Sequence, residues 1–255
     1  MSLLPVGFRT LVKREILRFV RRPRNTFVPP LITNVLYFSV FGVILGQRID
    51  RINGVPYIVF ILPGLIVLGT ISNAFENASF SIFHGRWNEY IHETLTSPLS
   101  YTQMVVAYIA ASATRGVLVG ILIGGVGMFF TPVGIAQPLY LVAFVLVISL
   151  LFASFGVVGG LWATDFDNLT VMNQFIVRPL VFFGGVFYSI RDLPPLWHDV
   201  SLFNPMVYMV NGLRFGFLGQ SEVDPTSSFV VLAALTLAVL ALDVFLFYRG
   251  YGLTD

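Results

Sequence analysis

GRWNEYIHETLTSPLS, residues 85–100, is the one well-charged island in the middle of an otherwise apolar chain. It is bounded by Gly85 and Pro98 and lies between two long hydrophobic segments. Read as a helix over Arg86–Leu95, it places Trp87, Ile91 and Leu95 at i, i+4 and i+8, on one apolar face. Glu89 and Glu93 fall at i and i+4 on another face, with Tyr90 beside them. Like charges at that spacing destabilise an isolated helix by about 0.2–0.5 kcal/mol. Something outside the helix should therefore compensate them. A helix resting on anionic lipid would carry Lys and Arg on its polar face, and this one has only Arg86 against two carboxylates. The expectation is a short helix offered to a protein partner. An amphipathic loop helix with no partner fits the same spacing.

The composition around the island sets the class. The chain has 255 residues, of which 56% are hydrophobic and 11% charged. A soluble domain carries about 25% charged residues. With a mean hydropathy of +0.83, the chain reads as a single polytopic integral membrane domain over residues 1–255. It has no cysteine, so disulfides, a thiolate metal site and a catalytic thiol are excluded. The net charge of +2 says less than its distribution. Seven of the 15 basic residues lie before residue 25 (Arg9, Lys13, Arg14, Arg18, Arg21, Arg22 and Arg24). This cluster abuts a membrane span and nothing resembles a base-reading module, so no nucleic acid is expected.

Residues 4–22 read as an amphipathic helix within an N-terminal segment 1–25. Phe8, Val12, Ile16 and Phe19 share one face; Arg14, Arg18 and Arg21 share another. That pattern suits an in-plane helix on an anionic leaflet. The apolar run that follows is too long for a signal peptide. Six transmembrane helices are then expected, at residues 27–46, 57–78, 103–130, 139–163, 169–188 and 228–248, each near the roughly 20 residues a bilayer needs. Pro29 and Pro30 fall in the opening turn of the first, where proline is tolerated. Along the third, Ser112, Gly116, Gly120 and Gly124 recur every fourth residue, a small-residue stripe that lets another helix approach closely. Asp165, Asp167 and Asn168 form a polar turn and a candidate N-cap before the fifth. Residues 190–226 are too apolar for a solvated loop. Asn204-Pro205 reads as an N-cap with proline at the first helical position, and Gly219 as the stop. This segment is expected to form short helices that re-enter the outer leaflet; an interfacial helix lying flat is the other reading.

Orientation follows from the basic residues. With the N-terminal cluster in the cytoplasm, six crossings return the C-terminus to that side. Arg86 and Arg249 then lie inside, and Arg48, Arg51, Arg191 and Arg214 outside. The island, in a loop over residues 82–100, is cytoplasmic under this topology.

Catalysis finds little support. The histidines are His84, His92 and His198, with no metal-ligand spacing, and no serine sits in a nucleophile elbow. The only lysine is Lys13, preceded by Arg-Thr-Leu-Val, so the chain supplies no phosphate-binding GxxxxGK[ST] loop. If ATP drives it, another subunit binds the ATP. Four ionisable residues fall within the expected spans: Glu76, Arg115, Arg178 and Asp243. Charges at that depth are costly unless paired or wetted, so each is a functional candidate. Two of each sign suit internal pairing, and Pro179 after Arg178 suits a kink.

The order of motifs carries a resemblance. The basic N-terminal helix is followed by Val28-Pro29-Pro30, then Leu62-Pro63-Gly64 and Glu93-Thr94-Leu95-Thr96-Ser97-Pro98. Gly184-Gly185-Val186-Phe187-Tyr188-Ser189, Leu193-Pro194-Pro195-Leu196-Trp197 and Asn204-Pro205-Met206-Val207-Tyr208 come next, and then Arg214-Phe215-Gly216-Phe217-Leu218-Gly219. Over nearly its whole length the chain resembles the ABC-2 type permeases, most closely the YadH permease type, and also the nodulation-factor and daunorubicin export permeases. The resemblance implies an all-α fold of six transmembrane helices with an N-terminal interfacial helix, a coupling helix and re-entrant helices before the last span. It implies a homodimer working with two copies of a separate ATPase, which would hold ATP and Mg. No cofactor is expected in this chain. The coupling helix would carry Arg86, Trp87, Glu89, Tyr90, Ile91, Glu93 and Leu95. Spans one and five would meet at the dimer interface in the bacterial inner membrane. A charge such as Arg178 in span five departs from that pattern. The expected activity is export of a hydrophobic or amphiphilic drug, lipid or glycan-like solute. A self-sufficient secondary transporter or channel is the competing class; such folds show two similar halves, and no repeat between halves is visible here.

Overall fold

The computed structural model describes residues 6–49 and 51–253. Five helices are long and apolar enough to cross a membrane: Pro23–Gln47, Tyr57–Trp87, Tyr101–Phe130, Pro138–Trp162 and Pro225–Arg249. A first helix, α1 (Val6–Val20), precedes them. The first long helix begins as α2 (Pro23–Tyr37) and ends in a π-helical stretch, Phe38–Ile44, and a single 3-10 turn. A two-residue hairpin, Arg51–Ile52 with Val55–Pro56, leads into α3 (Tyr57–Trp87). Then come α4 (Ile91–Leu95), α5 (Tyr101–Phe130) and α6 (Pro138–Trp162).

A shorter helix bridges the same two ends of the bundle. It consists of α7 (Phe166–Val171), a π-helical turn over Met172–Val177 and α8 (Arg178–Phe182). At one end the Phe166 ring meets Phe83, and at the other Asn204 Nδ2 donates to the Leu180 carbonyl. Seventeen residues at 1.5 Å each give about 26 Å, short of the roughly 30 Å hydrocarbon core. The expected span over 169–188 therefore stops early. Residues 183–189 turn away instead, with Gly185 at φ +76°. The π-helical turn precedes Pro179, which cannot donate to the carbonyl four residues back. The chain ends in α9 (Pro195–Leu202), α10 (Pro205–Leu218) and α11 (Pro225–Arg249).

The helix starts follow local chemistry. Ser100 and Gln103 cap each other's backbone N–H groups at the head of α5. Asp165, Asn204 and Asp224 accept from backbone N–H groups at the starts of α7, α10 and α11. Gly219 and Gly250 close α10 and α11 in the left-handed region. One expectation fails here. The first long helix starts at Pro23, so Pro29 and Pro30 lie in its interior, not its opening turn. There they withhold two N–H donors from the carbonyls of Asn25 and Thr26.

The centre of the bundle is α3, buried from Phe60 to Phe83 on most of its circumference. Two glycine-bearing helices lie against it. A Cβ added at Gly116 of α5 would sit 2.9 Å from the Ala74 Cβ and 3.0 Å from the Thr70 carbonyl oxygen. At Gly156 and Gly160 of α6 it would meet the carbonyl oxygens of Phe75 and Ser79 at 2.5 and 2.7 Å. The backbones approach so closely only because these side chains are absent. Ser112 extends the contact, its hydroxyl accepting from Asn77 Nδ2 at 3.0 Å.

At the end opposite α1, α10 buries ten of its 14 residues against α3 and α6. Its Arg214 stacks 3.8 Å from the Phe60 ring centroid and donates to the Gly185 carbonyl at 2.9 Å. Glu222 lies 4.0 Å from Arg214 and accepts from the Ile190 N–H and from Asn53. These contacts tie residues 51–57, 183–190 and 205–222 into one cap. By contrast, α2 and α11 leave most of their apolar side chains exposed, as Ile32, Leu36, Leu237 and Phe245 illustrate.

Candidate functional site

Three of the four charges expected within spans converge. A cavity of about 410 Å³ lies among α2, α3, α5 and α8, and Glu76, Arg115 and Arg178 line it. Measured along their helices from the ends nearest α1, these residues lie at about 17–21 Å. They do not pair as the balance of signs suggested. The ion pairs among the described residues are Arg14–Glu15, Arg18–Glu15, His198–Asp199 and Arg214–Glu222. Glu76 instead accepts a hydrogen bond from Asn173 of the π-helical turn at 2.6 Å. Arg115 donates to Asn73 Oδ1 at 3.1 Å and to Asn77 Oδ1 at 3.5 Å. Asparagine was the signal the sequence reading passed over. Asn73 and Asn77 are i and i+4 in an apolar helix and flank Glu76, so amide oxygens hold the guanidinium.

Asp243 lies elsewhere. It is fully buried in α11, where the Ser154 hydroxyl of α6 is the polar group that faces its carboxyl.

A polar chain leads from the cavity to α1. Arg18 donates to the main-chain and side-chain oxygens of Asn77. Glu15, 3% exposed, accepts from Arg14, Arg18 and the Ser81 hydroxyl. Arg14 also donates to the Tyr108 hydroxyl at 3.2 Å. This corrects the expected helix face. The inward side of α1 is Leu11, Glu15 and Phe19, and two of its arginines turn to the protein. An acidic residue at its centre supplies the counter-charge that draws them in.

The charged island is two pieces of structure. The expected helix over Arg86–Leu95 breaks at Glu89, which adopts φ +61°. Trp87 is the last residue of α3, and Asn88 closes that helix by donating from Nδ2 to the His84 carbonyl at 3.0 Å. Glu89 and Glu93 therefore never share a helix, and the expected repulsion along one does not arise. Nor do Trp87 and Ile91 share a face. Trp87 is 59% exposed and Ile91 is 1% exposed, packed over Gly85. Leu95 is half-buried. Arg86 also turns inward: its Nη1 reaches the carbonyls of Gly160, Leu161 and Ala163 at 2.8–2.9 Å, at the C-terminus of α6. A cation there satisfies orphan carbonyls and the negative end of the helix dipole.

What remains outward is Trp87, Glu89, His92 and Glu93, with Tyr90 half-buried. Trp87 belongs to a ring cluster with Phe83 and Phe166. Burial, with Glu15 nearby, pushes the Tyr90 phenol above its usual range and keeps it neutral. This ridge separates two grooves. One, about 880 Å³, runs along α1 past Lys13, Arg14, Arg18, Arg21 and Arg22. The other, about 660 Å³, runs past Trp87, Glu89 and His92 to Gly252.

Comparison with known proteins agrees with this architecture. The family model described as ABC-2 type transporter matches residues 6–218. The chain is 36% identical over 253 residues to the inner membrane transport permease YadH of Escherichia coli (strain K12), covering 99% of each chain. It is 26% identical over 225 residues to nodulation protein J of Rhizobium leguminosarum bv. viciae, covering 85% of each. For nodulation protein J of Rhizobium meliloti (strain 1021) the identity is 23% over 197 residues, covering 74% of this chain and 72% of the relative.

Proposed function

The chain belongs to the ABC-2 type transporter family, and from that premise we propose that it is the permease subunit of an ATP-driven exporter in the bacterial inner membrane. Two copies of the chain form the pathway, and two copies of a separate ATPase supply the energy. The segment 166–182 counts as the fifth of six spans, completed in thickness by the turn that follows it, and α10 is re-entrant from the outer side. Both termini are cytoplasmic, as the N-terminal basic cluster requires. The cargo is amphiphilic or hydrophobic.

One observation carries the reading: the outward ridge Trp87–Glu93 is rooted in three helices at once. Arg86 beside it grips the end of α6, the ridge's aromatic rings pack edge-on and tilted against Phe166 of α7, and Ile91 packs back onto α3. A push on the ridge by a nucleotide-closed ATPase would move those helices together, as rigid-body switching needs. The same helices wall the polar cavity or pack against it, so the push reaches the cargo path. ATP and Mg bind to the partner. This chain contributes docking and displacement, and no chemistry of its own.

The test is reconstitution with a candidate ABC ATPase from the same genome. The pair should co-purify and hydrolyse ATP, and the chain alone in liposomes should hydrolyse none. Nucleotide turnover by the isolated chain, or transport driven by an ion gradient without the ATPase, would replace this reading with a self-sufficient transporter.

A further inference from the structure

We propose that the cavity among α2, α3, α5 and α8 binds the anionic head group of an amphiphile, and that Arg115 and Arg178 select it. The proposal rests on the exporter reading and narrows its cargo.

The charges in the cavity do not cancel. Its lining carries two guanidinium groups and one carboxylate. The carboxylate of Glu76 takes its hydrogen bond from a neutral amide, Asn173, and forms no ion pair within 4 Å among the described residues. Arg178 is exposed and makes neither a hydrogen bond nor an ion pair within 4 Å among them, with the Glu76 carboxylate near enough to act on it electrostatically. Arg115 is held only by amide oxygens, and its buried Nε has no acceptor. Arg115 is half-buried and Arg178 is exposed in the single chain, and a guanidinium at this depth in a bilayer costs several kcal/mol unless an anion or water meets it. The protein around the cavity supplies one negative group for two positive ones, which leaves a single negative charge to be supplied by a ligand.

The remaining lining adds a second requirement. Asn34 is 4% exposed, lines the cavity and has a buried side-chain oxygen with no donor. Asn25 and Thr26 are also lining residues, and their main-chain carbonyls lack helical donors because Pro29 and Pro30 stand four residues on. These acceptors call for hydroxyl or amide N–H groups on the same head. A volume of about 410 Å³ suits a small polar head group and excludes a folded chain or a long glycan. Apolar side chains exposed along α2 and on α8 leave a path for an acyl tail beside it. An anionic head, bearing donors and joined to a tail, matches all three conditions.

The experiment uses the purified chain in maltoside micelles, without ATPase or nucleotide. Its unfolding midpoint is followed against lysophosphatidylglycerol, lysophosphatidylcholine of the same chain length, and inorganic phosphate. Lysophosphatidylglycerol should raise the midpoint in a saturable manner. Lysophosphatidylcholine, whose head carries its own cation, should not, and inorganic phosphate should not. Arg178→Gln should weaken the apparent affinity about tenfold or more. Arg178→Lys should keep most of it, and Glu76→Gln should strengthen it. Arg178 makes no hydrogen bond, so its glutamine variant leaves the fold intact even if Arg115→Gln does not.

Equal binding of the two lysolipids, or unchanged affinity in Arg178→Gln, would overturn the proposal. So would phosphate binding as tightly as the lysolipid, since the cavity would then be a free-anion site. None of these results touches ATPase assembly, so the exporter reading stands or falls separately.

Discussion

Arg18 of α1 donates to both the main-chain and the side-chain oxygen of Asn77 in α3, at 2.9 and 3.1 Å. Arg115 reaches the same side-chain oxygen from the cavity at 3.5 Å. One asparagine thus joins a surface helix to an intramembrane charge. Bonds to charged groups contribute about 1.5–3 kcal/mol each. Under the proposed mechanism the link would carry α1 along with α3, where a lipid-bound helix would be a bystander.

Glu15 holds that arrangement, and its removal should release α1. Glu15→Ala strands Arg14 and Arg18, both about one-third exposed or more, so water recovers part of the loss. The expected cost is about 1–3 kcal/mol. Trypsin should then cut faster after Arg21 and Arg24, Arg22 being protected by Pro23, while the core keeps its thermal midpoint to within a few degrees. Unchanged cleavage kinetics would mean that α1 is held by Leu11 and Phe19 alone.

The glycine stripe of α5 should respond by position. Gly116→Ala places a methyl 2.9 Å from the Ala74 Cβ and 3.0 Å from a backbone oxygen, which cannot swing aside. Overpacking of this kind costs about 1–3 kcal/mol. Gly124→Ala meets only the Ile66 Cδ1 at 3.5 Å, an ordinary contact. Detergent thermal stability should therefore fall for the first and hold for the second. Equal effects would show that the two helices slide freely past each other.

Much of this was legible in the residues. Of the six spans expected from long apolar runs and capping signals, five have helices long and apolar enough to cross a membrane, and the α10 cap was visible too, because burial and capping are local properties. The stripe Ser112–Gly124 was visible for the same reason. What escaped were the contacts made across the chain. Glu15 looked like one acid among bases until Ser81, 66 positions away, was brought to it. Gly156 and Gly160 were passed over as unremarkable in a glycine-rich span. The left-handed Glu89 has no spacing signature at all, and it reversed the roles of Ile91 and Arg86. The ion pairing expected of the charges in the spans failed because side-chain amides met Glu76 and Arg115, while Arg178 and Asp243 have no opposite charge within 4 Å among the described residues.

Asp243 should prove dispensable for stability. A buried carboxyl faced by a single hydroxyl, that of Ser154, is a liability, and an apolar group of similar volume is often neutral or better. Asp243→Leu should match or exceed the parent chain in thermal midpoint. If the variant is as stable but loses transport with its ATPase, Asp243 has a role in the cycle. A sharp fall in stability would show that the carboxyl is satisfied by water within the bundle.

The outward ridge offers the most discriminating set of substitutions, because its residues divide by direction. Trp87 presents an exposed indole on a stacked aromatic base, a suitable anchor for a partner. Glu89 and Glu93 are exposed carboxylates on either side of Tyr90. Ile91 and Arg86 face inward and serve the fold. Trp87→Ala should therefore weaken co-purification of the ATPase in any salt, since apolar burial is not screened. Glu89→Lys with Glu93→Lys should oppose docking by charge reversal. That effect should be largest at low ionic strength and shrink as the Debye length falls toward about 8 Å at 0.15 M. Ile91→Ala should lower the thermal midpoint of the permease itself by the equivalent of about 2–5 kcal/mol, before any partner is added. Arg86→Ala should loosen the end of α6 and uncouple hydrolysis from transport, with the ATPase still bound. The measurements are co-purification, ATP hydrolysis and transport in one reconstituted system. Full assembly in the double charge reversal at low salt would leave the carboxylates facing solvent. Loss of assembly in Ile91→Ala without loss of stability would put that side chain in the partner, not under Gly85.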